Sequence, residues 1–360
     1  GDWLTDAVAG HSTILVVEDH APVGALGDTV RRELAARGLE PSIPGKFGIA
    51  LIGVGGLVIL RLVVMVVVAR RHARRRQDPA FSWGAPVTDP VSVVVPAYNE
   101  AENIEATVRS ILANDHPLEV VVVDDGSTDG TPDLLEDLAL PRVRVVRQAN
   151  AGKSAALNRG VAAAKHDLIV MIDGDTIFQP DTVAQLVAPF ADPATGAVAG
   201  NVKIANRDRL IPRMQHLEYV VGFNVDRRVQ DSWGSISTIP GAAGAFRREA
   251  VQEVGGLSSD TLAEDTDLTI ALGRAGWRVV YNEHALAWTE APVSAGQLWR
   301  QRFRWSYGTM QALWKHRRAL RERGASGRMG RLGLAHIGVF HVALPLAAPL
   351  VDLLFVYGLL

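Results

Sequence analysis

The run Leu168-Ile169-Val170-Met171-Ile172 ends in Asp173-Gly174-Asp175, and this stretch narrows the available folds more than any other in the chain. An unbroken apolar, largely β-branched run reads as a strand covered on both faces, and Gly174 permits a sharp turn at its end. In extended backbone, residues two apart point to one side, which puts Asp173 and Asp175 together at the carboxyl edge of a sheet. Open α/β sheets bind their ligands at that edge. Paired hard oxygen donors there suit Mg²⁺ or Mn²⁺, above all when a phosphate completes the shell; a solvated Asp-Gly-Asp turn is the plainer alternative.

From residue 91 onward, strand and helix patterns alternate. Residues 91–95 read as a strand ended by Pro96, residues 100–112 as a helix, and residues 118–123 and 143–146 as further strands. Residues 152–165 then form the helix before the Asp173 strand. Such alternation predicts a parallel sheet with both faces covered and right-handed crossovers. The second strand runs into Asp124-Asp125-Gly126-Ser127-Thr128-Asp129-Gly130, at the same sheet edge. A carboxylate in that loop can accept the imide hydrogen of uracil or the ribose hydroxyls. Equally, Asp, Ser and Thr are favoured helix caps, and Thr131-Pro132 starts a helix well. Asn150-Ala151-Gly152-Lys153-Ser154 lacks the spacer between glycines of a nucleotide-triphosphate loop, which excludes a P-loop ATPase. Lys153, at a helix amino terminus, either meets a diphosphate or is a plain surface residue.

At 360 residues and 48% hydrophobic, the chain can bury a large core and more than one unit. It has no cysteine, which excludes disulfide scaffolds and thiolate metal sites. Residues 47–69 are apolar except for Arg61 and are long enough for a transmembrane helix. Arg70, Arg71, Arg74, Arg75 and Arg76 follow at once, which predicts an amino terminus outside and a cytoplasmic side from residue 70 onward. That cluster speaks for topology and not for nucleic acid. Arg61 itself would face a partner helix or a polar cavity. A second apolar region, residues 332–360, follows a basic stretch and would carry the chain back out. The absence of an initial Met and an end inside this region suggest truncation at both ends. His336, His341 and Asp352 interrupt it, as a metal site, as helix-packing residues or as the polar lining for a translocated sugar chain. In residues 1–46, Glu18-Asp19-His20 and Gly24-Ala25-Leu26-Gly27-Asp28 loosely resemble the last part of a transketolase carboxyl-terminal domain. The segment is too short to form that domain. We read it as an extracytoplasmic remnant of unknown role, with His20 on its surface.

Several short motifs, weak singly, occur in a telling order. Val91-Ser92-Val93-Val94-Val95-Pro96-Ala97-Tyr98-Asn99-Glu100, Asp124-Asp125-Gly126-Ser127, Gly152-Lys153-Ser154-Ala155-Ala156-Leu157-Asn158 and Asp173-Gly174-Asp175 resemble the donor half of a family 2 glycosyltransferase. Gly241-Ala242-Ala243-Gly244-Ala245-Phe246-Arg247-Arg248, Ala263-Glu264-Asp265 and Gln301-Arg302-Phe303-Arg304-Trp305 resemble its acceptor half. The pattern, over residues 88–358, is that of the processive membrane branch containing cellulose, chitin, hyaluronan and poly-N-acetylglucosamine synthases. The resemblance implies a GT-A fold, an α/β domain with a Rossmann-like, mostly parallel sheet, flanked by transmembrane helices and an amphipathic interface helix. The corresponding division is a transmembrane helix at 47–69, a basic linker at 70–90 and the GT-A domain at 91–295. An interface helix at 296–320 and a transmembrane region at 332–360 follow.

The resemblance also assigns roles. Inverting sugar transfer needs a base for the acceptor hydroxyl and an electrophile for the departing diphosphate. Asp265 is the implied base, with Glu264 beside it as a catalytic residue; a helix cap is the alternative for Asp265. Pro96, Ala97, Tyr98, Glu100, Asp124 and Asp125 are implied around the nucleotide sugar, together with Lys153, Asp173 and Arg304. Gly241, Gly244, Gln301 and Trp305 are implied around the acceptor, and Asp173 and Asp175 around Mg²⁺ or Mn²⁺. Ala263 stands where the family often carries Thr. The spacing of Gln301, Arg304 and Trp305 puts them on one helix face. Trp299, Phe303, Met310 and Trp314 form a second stripe, which suits either a membrane-surface helix or a core.

The implied function is that of an inverting hexosyltransferase that moves a sugar from a UDP-sugar, UDP-N-acetylglucosamine by preference, onto an elongating β-linked polysaccharide. It would act at the inner face of the plasma membrane and export the polymer, with the lipid bilayer and accessory export subunits as partners and no nucleic acid. The alternatives are a UDP-glucose glucan synthase or hyaluronan-like synthase, single-sugar transfer to a polyprenyl phosphate, and a non-catalytic nucleotide-sugar sensor.

Overall fold

Strands β1 (Val91–Ala97), β2 (Leu118–Asp124), β3 (Val143–Arg147) and β4 (Leu168–Met171) lie parallel in the order β3-β2-β1-β4. In β1, β2 and β4 nearly every residue is buried, as the unbroken Val and Ile runs require. Alternate side chains enter opposite layers. Val91, Val93 and Val95 pack with Ile104, Val108 and Ile111, whereas Val94 packs with Leu157 and Val161. The sheet is therefore sandwiched between α2 (Ile104–Leu112) and α4 (Lys153–Ala163). The helix expected from residue 100 starts at Ile104, which leaves Glu100 in a turn at the sheet edge.

This computed structural model describes residues 45–349, so the readings for residues 1–44 and for Asp352 lie outside the described residues. Four further strands, not read from the sequence, complete an eight-stranded sheet: β5 (Ile177–Phe178), β6 (Thr195–Ile204), β7 (Gly244–Arg247) and β8 (Arg278–Thr289). The full order is β3-β2-β1-β4-β7-β6-β8-β5. β7 runs antiparallel between β4 and β6, and β5 antiparallel on β8, while β6 and β8 are parallel. The sheet is thus mostly parallel.

Between β6 and β7 lie α6 (Leu210–Leu217), a π-helical stretch (Glu218–Phe223) and α7 (Asn224–Trp233). Between β7 and β8 lies α9 (Glu264–Ala275), preceded by the short α8 (Arg248–Glu253). After β8 comes α10 (Ala295–His316), which opens with a capping box between Ser294 and Gln297. Trp299, Phe303, Tyr307, Met310 and Trp314 lie exposed along α10, and Leu210, Met214, Leu217 and Val221 form a second exposed stripe on α6 and the turn after it. Helices α3 (Thr131–Asp137) and α5 (Thr182–Val187) also belong to the sheet unit.

The sheet belongs to a unit of residues 65–338. The apolar run at 47–69 falls within helix α1 (Gly45–Arg76), whose last turn is fixed to α7 by His72 and Arg76, both on Asp231. Among the described residues, one helical stretch, Gly324–Pro349, is long and apolar enough to cross a membrane. It starts earlier than the apolar composition at 332 suggested, because residues 324–331, with Arg328 and Arg331, are helical too.

Candidate active site

Strand register brings the carboxylates together. Ala97 pairs with Asp124 and Val94 with Met171, so the residues after β1, β2 and β4 emerge along one edge. Two loops there are stitched to each other. Asn99, at φ +56°, accepts from the Thr128 amide at 2.8 Å, and its own amide donates to Ser127 at 2.9 Å. Asp129 accepts from the Ala101 amide at 3.0 Å. Asp124 accepts from the Ser127 amide at 3.2 Å. Asp125 is committed more fully: it accepts from the Gln148 side chain and from the amides of Ala151 and Gly152, at 2.7 to 2.9 Å. Its carboxylate therefore holds the loop that starts α4. Pro96 and Ala97 are the last residues of β1, and Tyr98 beyond them is 51% exposed.

Asp173, Asp175 and Glu100 form an acidic group around Gly174. A Cβ on Gly174 would lie 3.1 Å from the Glu100 side chain, so Glu100 lies across the Asp-Gly-Asp turn. Burial and the neighbouring Asp175 and Asp173 push Glu100 up to about 7. Burial and Asp173 push Asp175 up to about 6, against a hydrogen bond from Thr289 at 3.1 Å. Thr289, at the end of β8, carried no sequence signal; only the antiparallel and parallel pairing of the second half of the sheet brings it here.

Lys153 meets this group from α4. Its ammonium lies 2.7 Å from Asp173 and 3.1 Å from Glu264. Burial works against its charge, but the two carboxylates outweigh burial and hold it well above the ordinary lysine value. Glu264 and Asp265 open α9. Burial and the adjacent Glu264 push Asp265 up to about 6, opposed by Lys153 and by the Thr266 amide, which donates to it at 2.7 Å. Gly241 closes the group: a Cβ there would sit 2.8 Å from the Lys153 ammonium and 3.1 Å from Asp173, so any side chain would displace the ion pair. Gly244, by contrast, lies within β7, where Ile239 and Phe246 fill the place of its Cβ. It pairs with Met171, the last residue of β4, and packs the sheet there.

The three motif residues of α10 share a face but differ in setting. Gln301 has a buried Oε1 without a hydrogen-bond partner among the described residues. Arg304 is exposed and makes no ion pair among them. Trp305 meets the edge of Phe223 at 6.3 Å, while the Arg302 guanidinium lies 4.8 Å over its ring, held there by Glu218. Phe223 in turn contacts Tyr219 at 4.8 Å, and Arg227 lies 6.0 Å from the Phe223 ring. These residues of the π-helical stretch and α7 were missed, because no motif marks them. The α10 stripe read as either surface or core is exposed. A larger cavity, about 310 Å³, opens elsewhere, beside Trp83, Tyr281 and Glu283. Its charged walls are satisfied internally, Arg76 by Asp231 and Glu283 by Arg228, so it lacks the crowded charge of the carboxylate group.

Known proteins are similar to this chain in sequence and fold. A family model described as glycosyltransferase like family 2 matches residues 88–308. Poly-beta-1,6-N-acetyl-D-glucosamine synthase of Staphylococcus aureus (strain COL) is 33% identical over 227 residues, which cover 62% of this chain and 55% of that protein. The synthase of the same name from Staphylococcus epidermidis is 31% identical over the same shares. The chain thus spans about half the length of the curated relatives it matches. Among solved structures, the mannosyltransferase PcManGT from Pyrobaculum calidifontis, in complex with GDP-Man and Mn²⁺, superposes with a TM-score of 0.65 at 28% identity over 82% of both chains. An S. aureus TarS fragment in complex with UDP-GlcNAc gives 0.51 at 17% identity over 70% of this chain and 73% of that one, a likeness of fold alone. Fold and site together define a glycosyltransferase of GT-A architecture. The chain belongs to glycosyltransferase family 2.

Proposed function

We propose that the protein transfers N-acetylglucosamine from its UDP derivative, with inversion, to the growing end of a β-linked polysaccharide. The observation that carries this reading is the Lys153 ammonium lying between Asp173 and Glu264, which sets a donor-side carboxylate pair against an acceptor-side one across Gly241. The donor preference is supported by the relatives named poly-beta-1,6-N-acetyl-D-glucosamine synthase at 33% identity.

In this reading Asp265 takes the proton of the acceptor hydroxyl. The acceptor oxygen then bonds to the anomeric carbon as the bond from that carbon to the diphosphate breaks, which inverts the centre. The raised proton affinity of Asp265 suits a base working near neutrality. Glu264 orients Lys153, whose fixed positive charge faces the departing diphosphate, and Arg304 is a second cation for it. Tyr98, Asp124 and Asp125, with the end of β1, bound the nucleotide; Asp125 does so by holding the backbone of residues 151–152. Gln301 and Trp305 receive the acceptor sugar, Trp305 through its flat apolar ring.

A divalent cation fits the Asp173 and Asp175 carboxylates, with Glu100 beside them. The donors are hard oxygens, and burial together with the neighbouring carboxylates raises the proton affinities of Asp175 and Glu100, a crowding of negative charge that a cation would relieve. When bound, such an ion, Mg²⁺ or Mn²⁺, stabilises charge on the diphosphate.

Residues 47–69 and the apolar helix from Gly324 onward serve as membrane spans, with the amino terminus outside and the sheet unit cytoplasmic. The exposed stripes of α6 and α10 rest on the bilayer. The division into an interface helix at 296–320 and a catalytic domain at 91–295 belongs to this reading, as do polymer export and accessory subunits.

The experiment is incorporation of radiolabelled UDP-N-acetylglucosamine, UDP-glucose or GDP-mannose by the full chain in membranes with Mg²⁺ or Mn²⁺. A high-molecular-mass product from UDP-N-acetylglucosamine that disappears in Asp265→Asn supports the proposal. A small lipid-extractable product overturns polymer synthesis. The 28% identity to a mannosyltransferase in complex with GDP-Man favours one second reading, a GDP-mannose donor, and incorporation from that donor alone would establish it.

A further inference from the structure

Helix α10 has two working faces. The outer one carries the exposed aromatic stripe. On the inner one, Gly308, Gln311, Ala312, Lys315 and His316 recur at helical spacing, and each meets α9 or the loop before it. Gly308 lies so close that a Cβ would sit 2.6 Å from the Ala263 amide nitrogen, one residue before Glu264. Gln311 accepts from the Leu262 amide at 3.0 Å. Ala312 is fully buried in a cluster with Ile270. At the end of the helix, Asp267 is buried, and both its oxygens are taken by α10: Oδ1 by His316 Nε2 at 2.8 Å and Oδ2 by Lys315 at 2.8 Å.

The histidine is itself fixed. Arg274 can only donate, so the 3.0 Å contact from its guanidinium to His316 Nδ1 places the ring proton on Nε2, pointing at Asp267. Arg274 is anchored on its other side by Glu322. A buried carboxylate with a hydrogen bond on each oxygen is a rigid joint, and losing one partner leaves a buried oxygen unsatisfied. Asp267 lies two residues after Asp265 in the first turn of α9.

We propose that Gly308, Asp267 and His316 are positioning residues: they lock the helix that carries Gln301, Arg304 and Trp305 in register with the turn that presents Asp265. This rests on the reading of Asp265 as the base and Trp305 as an acceptor contact. Base and acceptor platform then behave as one body, while the nucleotide end of the site is held separately by the loops after β1 and β2. Loosening the joint misplaces the acceptor hydroxyl against the base, while the nucleoside contacts held by the loops after β1 and β2 stay in place.

The test uses the full chain in membranes and the variants His316→Ala, His316→Gln and Gly308→Val. The assays follow sugar transferred, UDP-sugar hydrolysed and donor KM, with amide exchange read over residues 260–267 and 124–131. His316→Ala and Gly308→Val are expected to lower kcat for transfer by about ten- to a hundred-fold. They should also raise the share of donor lost to hydrolysis, change donor KM by much less than kcat and speed exchange over residues 260–267 alone. His316→Gln, which can still donate to Asp267, should restore most of the transfer. Donor KM and kcat changing together, or an unchanged ratio of transfer to hydrolysis, overturns the proposal. If the unmodified chain turns over no nucleotide sugar, the functional reading falls, and exchange still decides the joint: unaltered protection of residues 260–267 in Gly308→Val removes it.

Discussion

Lys153 and Asp173 are ion-paired at 2.7 Å, and the same ammonium reaches Glu264 at 3.1 Å. The first turn of α4, the loop after β4 and the first turn of α9 thus share one cation. Two segments far apart in sequence carry Asp173 on one side and Glu264 and Asp265 on the other, and mutual repulsion would spread them if Lys153 were absent.

Removing that cation should be costly for transfer. Lys153→Met is expected to lower kcat/KM by about 10² or more, the scale of losing one preorganised electrostatic contact. Lys153→Arg should recover only part, because Gly241 leaves the space around the ammonium without room for a wider head group. Initial rates at saturating acceptor check this; equal activity in Lys153→Met would remove Lys153 from the site.

The pH dependence has a defined sign. A base must be ionised, so transfer should rise with pH through the Asp265 value of about 6 and then level off. Asp265→Asn should abolish both activity and the acid limb. The same raised value has an opposite effect on stability: the folded state holds this proton more tightly than the unfolded one, so stability present at low pH is lost as pH rises through about 6. At pH 8, Asp265→Asn should therefore be more stable than the parent, on the order of 1 kcal/mol. Thermal melts of the two proteins at pH 5 and pH 8 give the answer, and a less stable Asn variant at pH 8 contradicts it.

Thr289 offers a milder probe of the carboxylate turn. Its hydroxyl donates to Asp175 at 3.1 Å from the end of β8. Thr289→Val keeps the shape and deletes the donor. If Asp175 holds a divalent cation, activity should need about ten- to a hundred-fold more Mn²⁺ for half-maximal rate, as with other changes to groups that orient a metal ligand. An unchanged Mn²⁺ titration would separate Thr289 from metal binding.

Much of the donor half was legible, because parallel strands buried on both faces leave long Val and Ile runs in the sequence. β1, β2 and β4 are such runs, and the polar residues that end them, Asp124 and Asp173, stand out at once. Roles were less legible than places. Asp125 looks like a ligand contact in the sequence, but its oxygens accept from Gln148, Ala151 and Gly152. The second half resisted reading for a physical reason. β7 is short and built around Gly244, and β6 and β8 lose register between Ala199 and Asn201, so neither period-2 alternation nor a continuous apolar run survives. Phe223 reaches Trp305, with Tyr219 against it, from a π-helical stretch whose i→i+5 hydrogen bonding shifts the facing of side chains away from the α-helical pattern.

The outer stripes make the last prediction. Trp299 is 73% exposed and Trp314 69% exposed on α10, and Leu217 is 63% exposed on the second stripe. Large side chains in such numbers on one side are poorly matched to water, and each gains about 1.5–3 kcal/mol on full burial. In vesicles containing brominated lipids, the fluorescence of Trp299 and Trp314 should be quenched strongly, while Trp277, on the sheet unit beside Glu253, should not. Single-tryptophan variants in the full chain allow the comparison. Adding a charge at the centre of the stripe, Phe303→Glu, should relieve the quenching of both tryptophans and reduce transfer. Because α10 also meets the turn before Glu264 through Gly308, lifting its outer face should disturb the base at its inner one. Equal quenching of Trp277 and Trp314 would place the stripe away from lipid.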